Sequence, residues 1–101
     1  MLESTLVNKI RKKLRSLFPN ILVIKIHGGL FQVAGLPDLL ICYKGKFIGL
    51  EVKVPGKEKT LTALQKKWLK SIRRAGGLSY MVTSTEMAVS AVRKVDKNSL
   101  N

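Results

Sequence analysis

The sequence is poor in residues that bind soft metal ions and in acidic residues. Among its 101 residues are one cysteine, one histidine and six Asp and Glu. A zinc site built from Cys and His requires four ligands, so this composition excludes one. The single cysteine, Cys42, lies in an apolar run and has no disulfide partner. We expect it to be a buried structural thiol in a reducing compartment.

The sequence also lacks the features of membrane and nucleotide-binding proteins. No apolar run approaches the roughly 18 residues that span a bilayer. The first residues lack the basic-then-apolar layout of a signal peptide, and the basic residues do not follow one amphipathic helix, which disfavours a lipid partner. Gly28-Gly29 is not followed by a nucleotide-binding pattern. We therefore expect a cytoplasmic protein with no membrane partner and no nucleotide cofactor.

Positive charge is what the sequence has in excess. Nineteen Lys and Arg outnumber six acidic residues and give a formal net charge of +13. Self-repulsion of that size destabilises a small fold, so we expect a polyanionic partner. The hydrophobic fraction of 46% is typical of a packed protein, and the length predicts a single domain over residues 1–101. Charge alone does not separate an enzyme from a ribosomal or nucleoid-type binder.

Hydrophobic periodicity predicts the element order α-β-β-β-α-β-α, a mixed central sheet flanked by helices in the α/β class. Thr60 is expected to cap the second helix, and Gly76-Gly77 to end it. The tail, 96–101, is expected to fray. The predicted helices cover 2–18, 60–75 and 85–94, and the predicted strands cover 21–26, 39–43, 46–54 and 78–83. The second helix is predicted to present an inner face of Leu61, Leu64, Trp68, Leu69 and Ile72.

Two of the few carboxylates fall opposite each other in the predicted hairpin. If Lys44-Gly45 forms a two-residue turn, paired residues have numbers that sum to 89, and Asp38 lies across from Glu51. Their Cβ atoms would then be ~5 Å apart on one face, where like charges destabilise a hairpin unless a cation lies between them. Lys53 lies two residues beyond Glu51, hence on the same face. A single bulge would shift this register.

Glu3 is the third carboxylate with an informative position. On a helical wheel it lies within about 40° of the apolar stripe of the first helix, so it faces the protein body. An alternative is that it only favours the positive end of the helix dipole. Three carboxylates together suit Mg²⁺ or Mn²⁺. Such an ion activates water for phosphodiester hydrolysis. An adjacent lysine such as Lys53 can orient that water or stabilise the charged transition state. The alternative is that Lys53 is only a solvated strand lysine.

These residues match a known pattern. Gly35-Leu36-Pro37-Asp38 followed by Glu51-Val52-Lys53 resembles the PD-(D/E)XK nuclease motif, and Glu3 and Gln65 look like those of its VRR-NUC branch. The resemblance extends from Glu3 to about Thr83. It implies an αβββαβ restriction-endonuclease-like core, to which the last helix is added.

The resemblance also implies residue roles. Asp38, Glu51 and the main-chain carbonyl of Val52 would bind Mg²⁺ or Mn²⁺, with Glu3 completing the site directly or through water. Lys53 would assist the attacking water, and Gln65 would support the site from its helix. The protein looks like the stand-alone phage or bacterial members, which are similar to homodimeric Holliday-junction resolvases. The implied protein is a metal-dependent endodeoxyribonuclease on branched DNA, located in a bacterial or phage-infected host cytoplasm.

Several alternatives stay open at this point. If the protein is a nuclease, its substrate is a four-way junction or instead a flap, a single strand or a linear duplex. The alternative class of protein is a non-catalytic basic DNA-binding module. His27 is a phosphate contact or an ordinary strand-end residue, and Trp68 stacks on a base or packs in the core. The apolar loop of Leu30, Phe31 and Val33 packs on the core or on a second subunit. Some basic residues are expected to contact phosphate, from the set Lys57, Lys59, Lys66, Lys67, Lys70, Arg73 and Arg74.

Overall fold

The computed structural model describes residues 1–28 and 33–98, and the helices and strands within them follow the predicted order. A short 3₁₀ turn, Glu58–Thr60, precedes the second helix. The helices are α1 (Glu3–Leu17), α2 (Ala63–Arg74) and α3 (Thr85–Asn98). The strands are β1 (Leu22–Lys25), β2 (Leu39–Tyr43), β3 (Lys46–Val52) and β4 (Leu78–Val82). Leu30 and Phe31 of the predicted apolar loop lie outside the described residues.

The four described strands form one mixed sheet in the order β1-β2-β3-β4. The first three are antiparallel, and α2 connects β3 to the parallel β4. Leu39 pairs with Leu50, so the predicted register, in which paired numbers sum to 89, is confirmed. Lys44 and Gly45 both have positive φ, 50° and 78°. Those values suit the tight turn that matches the twist of a two-residue hairpin.

The main core lies between the sheet and the pair α1 and α3. Alternate residues of β2 face these helices, so Leu39, Ile41 and Tyr43 are buried. Cys42 points to the opposite face and is exposed, so the predicted buried thiol is wrong. The physical reason is that α2 packs over β3 and β4 on this face, while no described helix covers its β1 side. The helices contribute to the core Leu6, Val7, Ile10 and Leu14 from α1 and Ala88, Ala91, Val92 and Val95 from α3.

The helix α2 packs closely on the second face of the sheet. A Cβ on Gly49 would lie 2.6 Å from Ile72 Cδ1, so glycine is what permits this approach. The predicted inner face holds for Leu69 and Ile72, which are buried. It is wrong for Leu64, which is 42% exposed, and Leu61 lies before the helix rather than on it.

The termini of two helices differ from the predictions. The cap of α2 is Thr62 instead of Thr60, because Thr62 and Gln65 form a reciprocal capping box. Thr60 ends the preceding turn, where its hydroxyl donates to the Lys57 carbonyl. The helix α3 continues to Asn98, so the predicted fraying from residue 96 is wrong over that part. Val95 packs in the core and gives this last turn a reason to stay helical.

Candidate metal centre and active site

Asp38 lies at the end of β2 that faces away from the hairpin turn. The Ile26 amide donates to the main-chain carbonyl of Asp38 at 2.8 Å. The Val52 amide donates to its side-chain Oδ2 at 2.8 Å. Both bonds fix the carboxylate against the adjacent strands. The other carboxylate oxygen, Oδ1, takes no part in these two bonds.

Pro37 shapes the strand edge beside Asp38. Extending the observed register by two residues places Pro37 opposite Val52. In an antiparallel pair, two opposite residues of this kind exchange both N–H and C=O bonds. Proline has no N–H, so Pro37 does not donate a hydrogen bond to the Val52 carbonyl. The Val52 amide donates to the Asp38 side chain instead of to the Pro37 carbonyl. The Val52 carbonyl consequently faces the same strand edge as the Asp38 side chain.

Glu51 is almost completely buried, at 2% exposure. One of its oxygens, Oε2, accepts a hydrogen bond from Gln65 Nε2 at 3.1 Å and lies 3.6 Å from Lys53 Nζ. The other oxygen, Oε1, is buried with no hydrogen-bond partner among the described residues. An unsatisfied buried acceptor is costly and rare in folded proteins. The arrangement therefore leaves one buried carboxylate oxygen that a bound cation would satisfy.

Glu3 joins this carboxylate from a different element, the first turn of α1. Glu3, Asp38 and Glu51 each offer an oxygen, and these three oxygens lie within 4.8 Å of one another. Ligands on opposite sides of a Mg²⁺ ion are about 4.2 Å apart, since each lies about 2.1 Å from the ion. An upper bound of 4.8 Å is compatible with that spacing, so the exposed Glu3 would reach such an ion directly or through a water molecule.

The electrostatics of the cluster favour a cation. Burial and the nearby Asp38 carboxylate raise the pKa of Glu51 to about 8, with Lys53 opposing the shift. Burial and Asp38 likewise raise the pKa of Glu3 above its ordinary value. The hard oxygen donors, the mutual repulsion and the unpartnered Glu51 Oε1 all fit a divalent ion such as Mg²⁺ or Mn²⁺.

Lys53 and Gln65 approach Glu51 from two sides. Lys53 is 7% exposed and shares a sheet face with Glu51, as the period of the strand predicts. Gln65 makes two sets of contacts: its main-chain N–H and Oε1 form the capping box with Thr62, and its side-chain Nε2 donates to Glu51. The structure thus brings together all of the side chains proposed from the sequence: Glu3, Asp38, Glu51, Lys53 and Gln65.

Trp68 has a contact that the sequence interpretation missed. Its indole Nε1 donates to the Ala34 carbonyl at 3.0 Å, so it holds the segment that leads into Asp38. Gly35 follows with φ +83°, and a Cβ there would lie 2.6 Å from Leu64 Cγ. Trp68 is partly exposed rather than in the main core. The only sequence signal was its position three residues after Gln65, one helical turn along the same face.

The basic residues on and before α2 divide into two groups. Arg73 is engaged within the protein, since Nε and Nη2 donate to the Ser79 carbonyl at 3.2 and 2.8 Å. The others are exposed and hold their charges in solvent. His27 is exposed beside Asp38, in a cavity of about 260 Å³ that Gly35 also lines. The exposed basic residues are Lys57, Lys59, Lys66, Lys67, Lys70 and Arg74.

The sheet topology, the crossover helix and the carboxylates at one strand end define a restriction-endonuclease-like α/β core with an added C-terminal helix. A solved structure titled "VRR_NUC domain" matches it with a TM-score of 0.70, at 20% sequence identity, over 90% of this chain and 94% of that one. The chain therefore has the VRR-NUC domain fold, and the predicted fold is confirmed. No protein-family model matches the sequence, and no curated protein matches it. Among the described helices, none is both long and apolar enough to cross a membrane.

Proposed function

We propose that the protein is a metal-dependent endodeoxyribonuclease whose active site is formed by Glu3, Asp38, Glu51 and Lys53. The observation that carries the proposal is the buried Oε1 of Glu51, which has no hydrogen-bond partner among the described residues yet lies in a cluster of three carboxylates. Two lines of support are independent of it. The fold is that of a VRR-NUC domain, and the net charge of +13 suits a polyanionic substrate.

The ligands of the metal follow from the local geometry. Asp38 and Glu51 would hold Mg²⁺ or Mn²⁺ with the Val52 main-chain carbonyl, and Glu3 would complete the site directly or through a water molecule. When bound, the ion supplies an activated water and neutralises charge on the phosphoryl oxygens.

The remaining residues prepare the site for hydrolysis. Lys53 holds a buried positive charge beside Glu51, where it orients the attacking water and stabilises the negative charge that develops on phosphorus-bound oxygen. Gln65 fixes Glu51 through Oε2 and so keeps Oε1 directed at the metal position. Positioning of this kind matters because a displacement of about 1 Å is enough to lower catalysis strongly.

The proposed substrate is branched DNA, cut by a homodimer of the 1–101 domain. A four-way junction has approximate two-fold symmetry, and a C2 pair of active sites would make two related nicks. The uncovered face of the sheet supports self-association, since it exposes Leu22 at 55%, Ile24 at 47% and Phe47 at 46%. Exposed apolar residues on adjacent strands are typical of an interaction surface. The exposed Lys66, Lys67 and Lys70 of α2 would contact phosphates.

The test is cleavage of a labelled four-way junction with Mg²⁺ or Mn²⁺, beside EDTA, a linear duplex, a flap and a single strand. We expect paired nicks in the junction that disappear in EDTA and in Asp38→Asn, but persist in Lys46→Gln at the far end of the hairpin. Equal cleavage of the other substrates would keep the nuclease and remove the junction preference. Salt-sensitive binding without cleavage under either metal would overturn the proposal in favour of a non-catalytic DNA-binding module.

A further inference from the structure

A groove of about 190 Å³ opens directly beside the carboxylate cluster. One wall is the first turn of α1, and the other is the strand end that carries Asp38. It is lined by Glu3, Ser4, Val7, Lys25, Ile26 and Asp38. Two of the three carboxylates therefore face a space in which Lys25 is the only cationic lining residue.

The fold fixes Lys25 in this position. It is the last residue of β1, paired with Leu39, and the next amide, that of Ile26, donates to the Asp38 carbonyl. The side chain is partly exposed and forms no ion pair or hydrogen bond with a described residue. Lys53 differs in both respects, because it is buried and paired with Glu51. Lys25 is thus the cation near the cluster whose charge is still available.

An anionic strand entering this groove meets an electrostatic obstacle. The negative charge of the phosphate to be cut would be offset by the metal ion, but a neighbouring phosphate that entered this groove would face Glu3 and Asp38 and be repelled by them. A cation at that point converts the repulsion into a contact, and lysine binds phosphate well as a point charge. The groove volume, equal to about six water molecules at ~30 Å³ each, accommodates a phosphodiester group.

We propose that Lys25 binds the DNA backbone phosphate adjacent to the one that is cut, and so sets the register of the strand on the metal centre. This inference rests on the proposed nuclease function. It assigns Lys25 a role in substrate binding that differs from the catalytic role of Lys53. A lysine that only offsets the charge of Glu3 and Asp38 would stabilise the fold without contacting DNA.

The first test compares Lys25→Gln with Lys46→Gln, a matched change of a partly exposed strand lysine at the other end of the hairpin. Binding of a short labelled DNA duplex is measured in Ca²⁺ over a range of salt. We expect Lys25→Gln to weaken binding roughly 5- to 20-fold and to lower the salt-dependence slope by about 0.9, with Lys25→Arg restoring both. An effect of Lys25→Gln no larger than that of Lys46→Gln would overturn the inference.

The second test identifies the phosphate itself. Neutral methylphosphonates are placed one at a time along the duplex, and binding is measured for wild type and Lys25→Gln. If Lys25 contacts one phosphate, neutralising that phosphate weakens wild type but has no further effect on the variant. Additive effects at every position would overturn the proposal. Cleavage by wild type in Mn²⁺ is measured separately. If one phosphate depends on Lys25 but no DNA is cleaved, only the nuclease function is refuted. If DNA is cleaved but no phosphate depends on Lys25, only the role of Lys25 is refuted.

Discussion

Gln65 Nε2 donates to Glu51 Oε2 at 3.1 Å, while the main-chain N–H and Oε1 of Gln65 form the capping box of α2 with Thr62. The same side chain thus starts a helix and directs a buried carboxylate. Helix α2 also carries Trp68, whose indole holds the segment before Asp38. Both principal carboxylates of the candidate metal centre are therefore positioned from one helix, although neither lies on it.

A change at Gln65 separates these two functions. Gln65→Glu keeps an acceptor for the capping box but removes the donor to Glu51 and adds a negative charge beside it. We expect a helix of normal stability and a strong loss of cleavage, on the order of 10²-fold. The matched variant Thr62→Ala should behave in the opposite way, losing about 1 kcal/mol of stability with cleavage retained. Thermal unfolding and initial cleavage rates test the pair, and normal cleavage by Gln65→Glu would contradict the positioning role.

Lys53 is expected to affect chemistry more than metal binding. Lys53→Met keeps most of the buried side-chain volume and removes the charge that faces Glu51. Because the transition state gains negative charge, we expect kcat to fall on the order of 10²- to 10³-fold while Mn²⁺ still binds. Single-turnover cleavage and a calorimetric Mn²⁺ titration measure the two quantities. A variant that cuts DNA at the wild-type rate would assign Lys53 to structure alone.

The metal-free protein should lose stability as the pH rises. The pKa of Glu51 is raised from 4.5 to about 8 by burial and by Asp38. Between those values the folded state binds more protons than the unfolded state, so its stability falls with rising pH, by up to about 1.4 kcal/mol per pH unit. Thermal unfolding in EDTA from pH 5 to pH 9 measures this slope. We expect Glu51→Gln to reduce the dependence of stability on pH, and Mn²⁺ to restore the stability lost at high pH. If the slope were unchanged in Glu51→Gln, the pH dependence would belong to another group.

The segment before Asp38 provides a prediction about assembly of the site. Trp68→Phe removes the donor to the Ala34 carbonyl while keeping a ring, and should cost about 1 kcal/mol. Gly35→Ala should cost more, about 1–3 kcal/mol, because φ is +83° and the new Cβ would meet Leu64. Urea denaturation measures both. Gly28→Ala is the control, since no atom of the described residues lies within 4 Å of its Cβ position. An effect of Gly28→Ala equal to that of Gly35→Ala would contradict this explanation.

The hairpin and its carboxylates were accessible from sequence because local chemistry fixes them. The two-residue Lys44-Gly45 turn sets the register, and the register then aligns Asp38 with Glu51. The Thr62-x-x-Gln65 pattern of a capping box is also present in the sequence, but Thr60 offers a competing cap residue two positions earlier. The role of Gln65 beside Glu51 came only from the family resemblance, since no periodicity relates a helix residue to a strand residue 14 positions away.

What sequence did not predict depends on how the layers assemble. Cys42 lies in an apolar run, yet it is exposed because α2 covers the β3 and β4 side of its sheet face. Nothing in the sequence distinguishes Lys25 from the other lysines. Its position beside the carboxylates depends on the pairing of β1 with β2 and on α1, which forms the other wall of the groove. Trp68 has the spacing of a core residue, and only the path of the segment at Ala34 shows its actual partner.

The most direct test of the metal centre is a calorimetric titration with Mn²⁺ at pH 7, using wild type, Glu51→Gln, Asp38→Asn and the control Lys46→Gln. We expect saturable binding to wild type and to Lys46→Gln, with proton release because Glu51 must ionise. In the two carboxylate variants we expect the Mn²⁺ affinity to fall at least about 10-fold. Equal Mn²⁺ affinity in all four proteins, or no binding to wild type, would contradict the assignment of Glu3, Asp38 and Glu51 as a metal site.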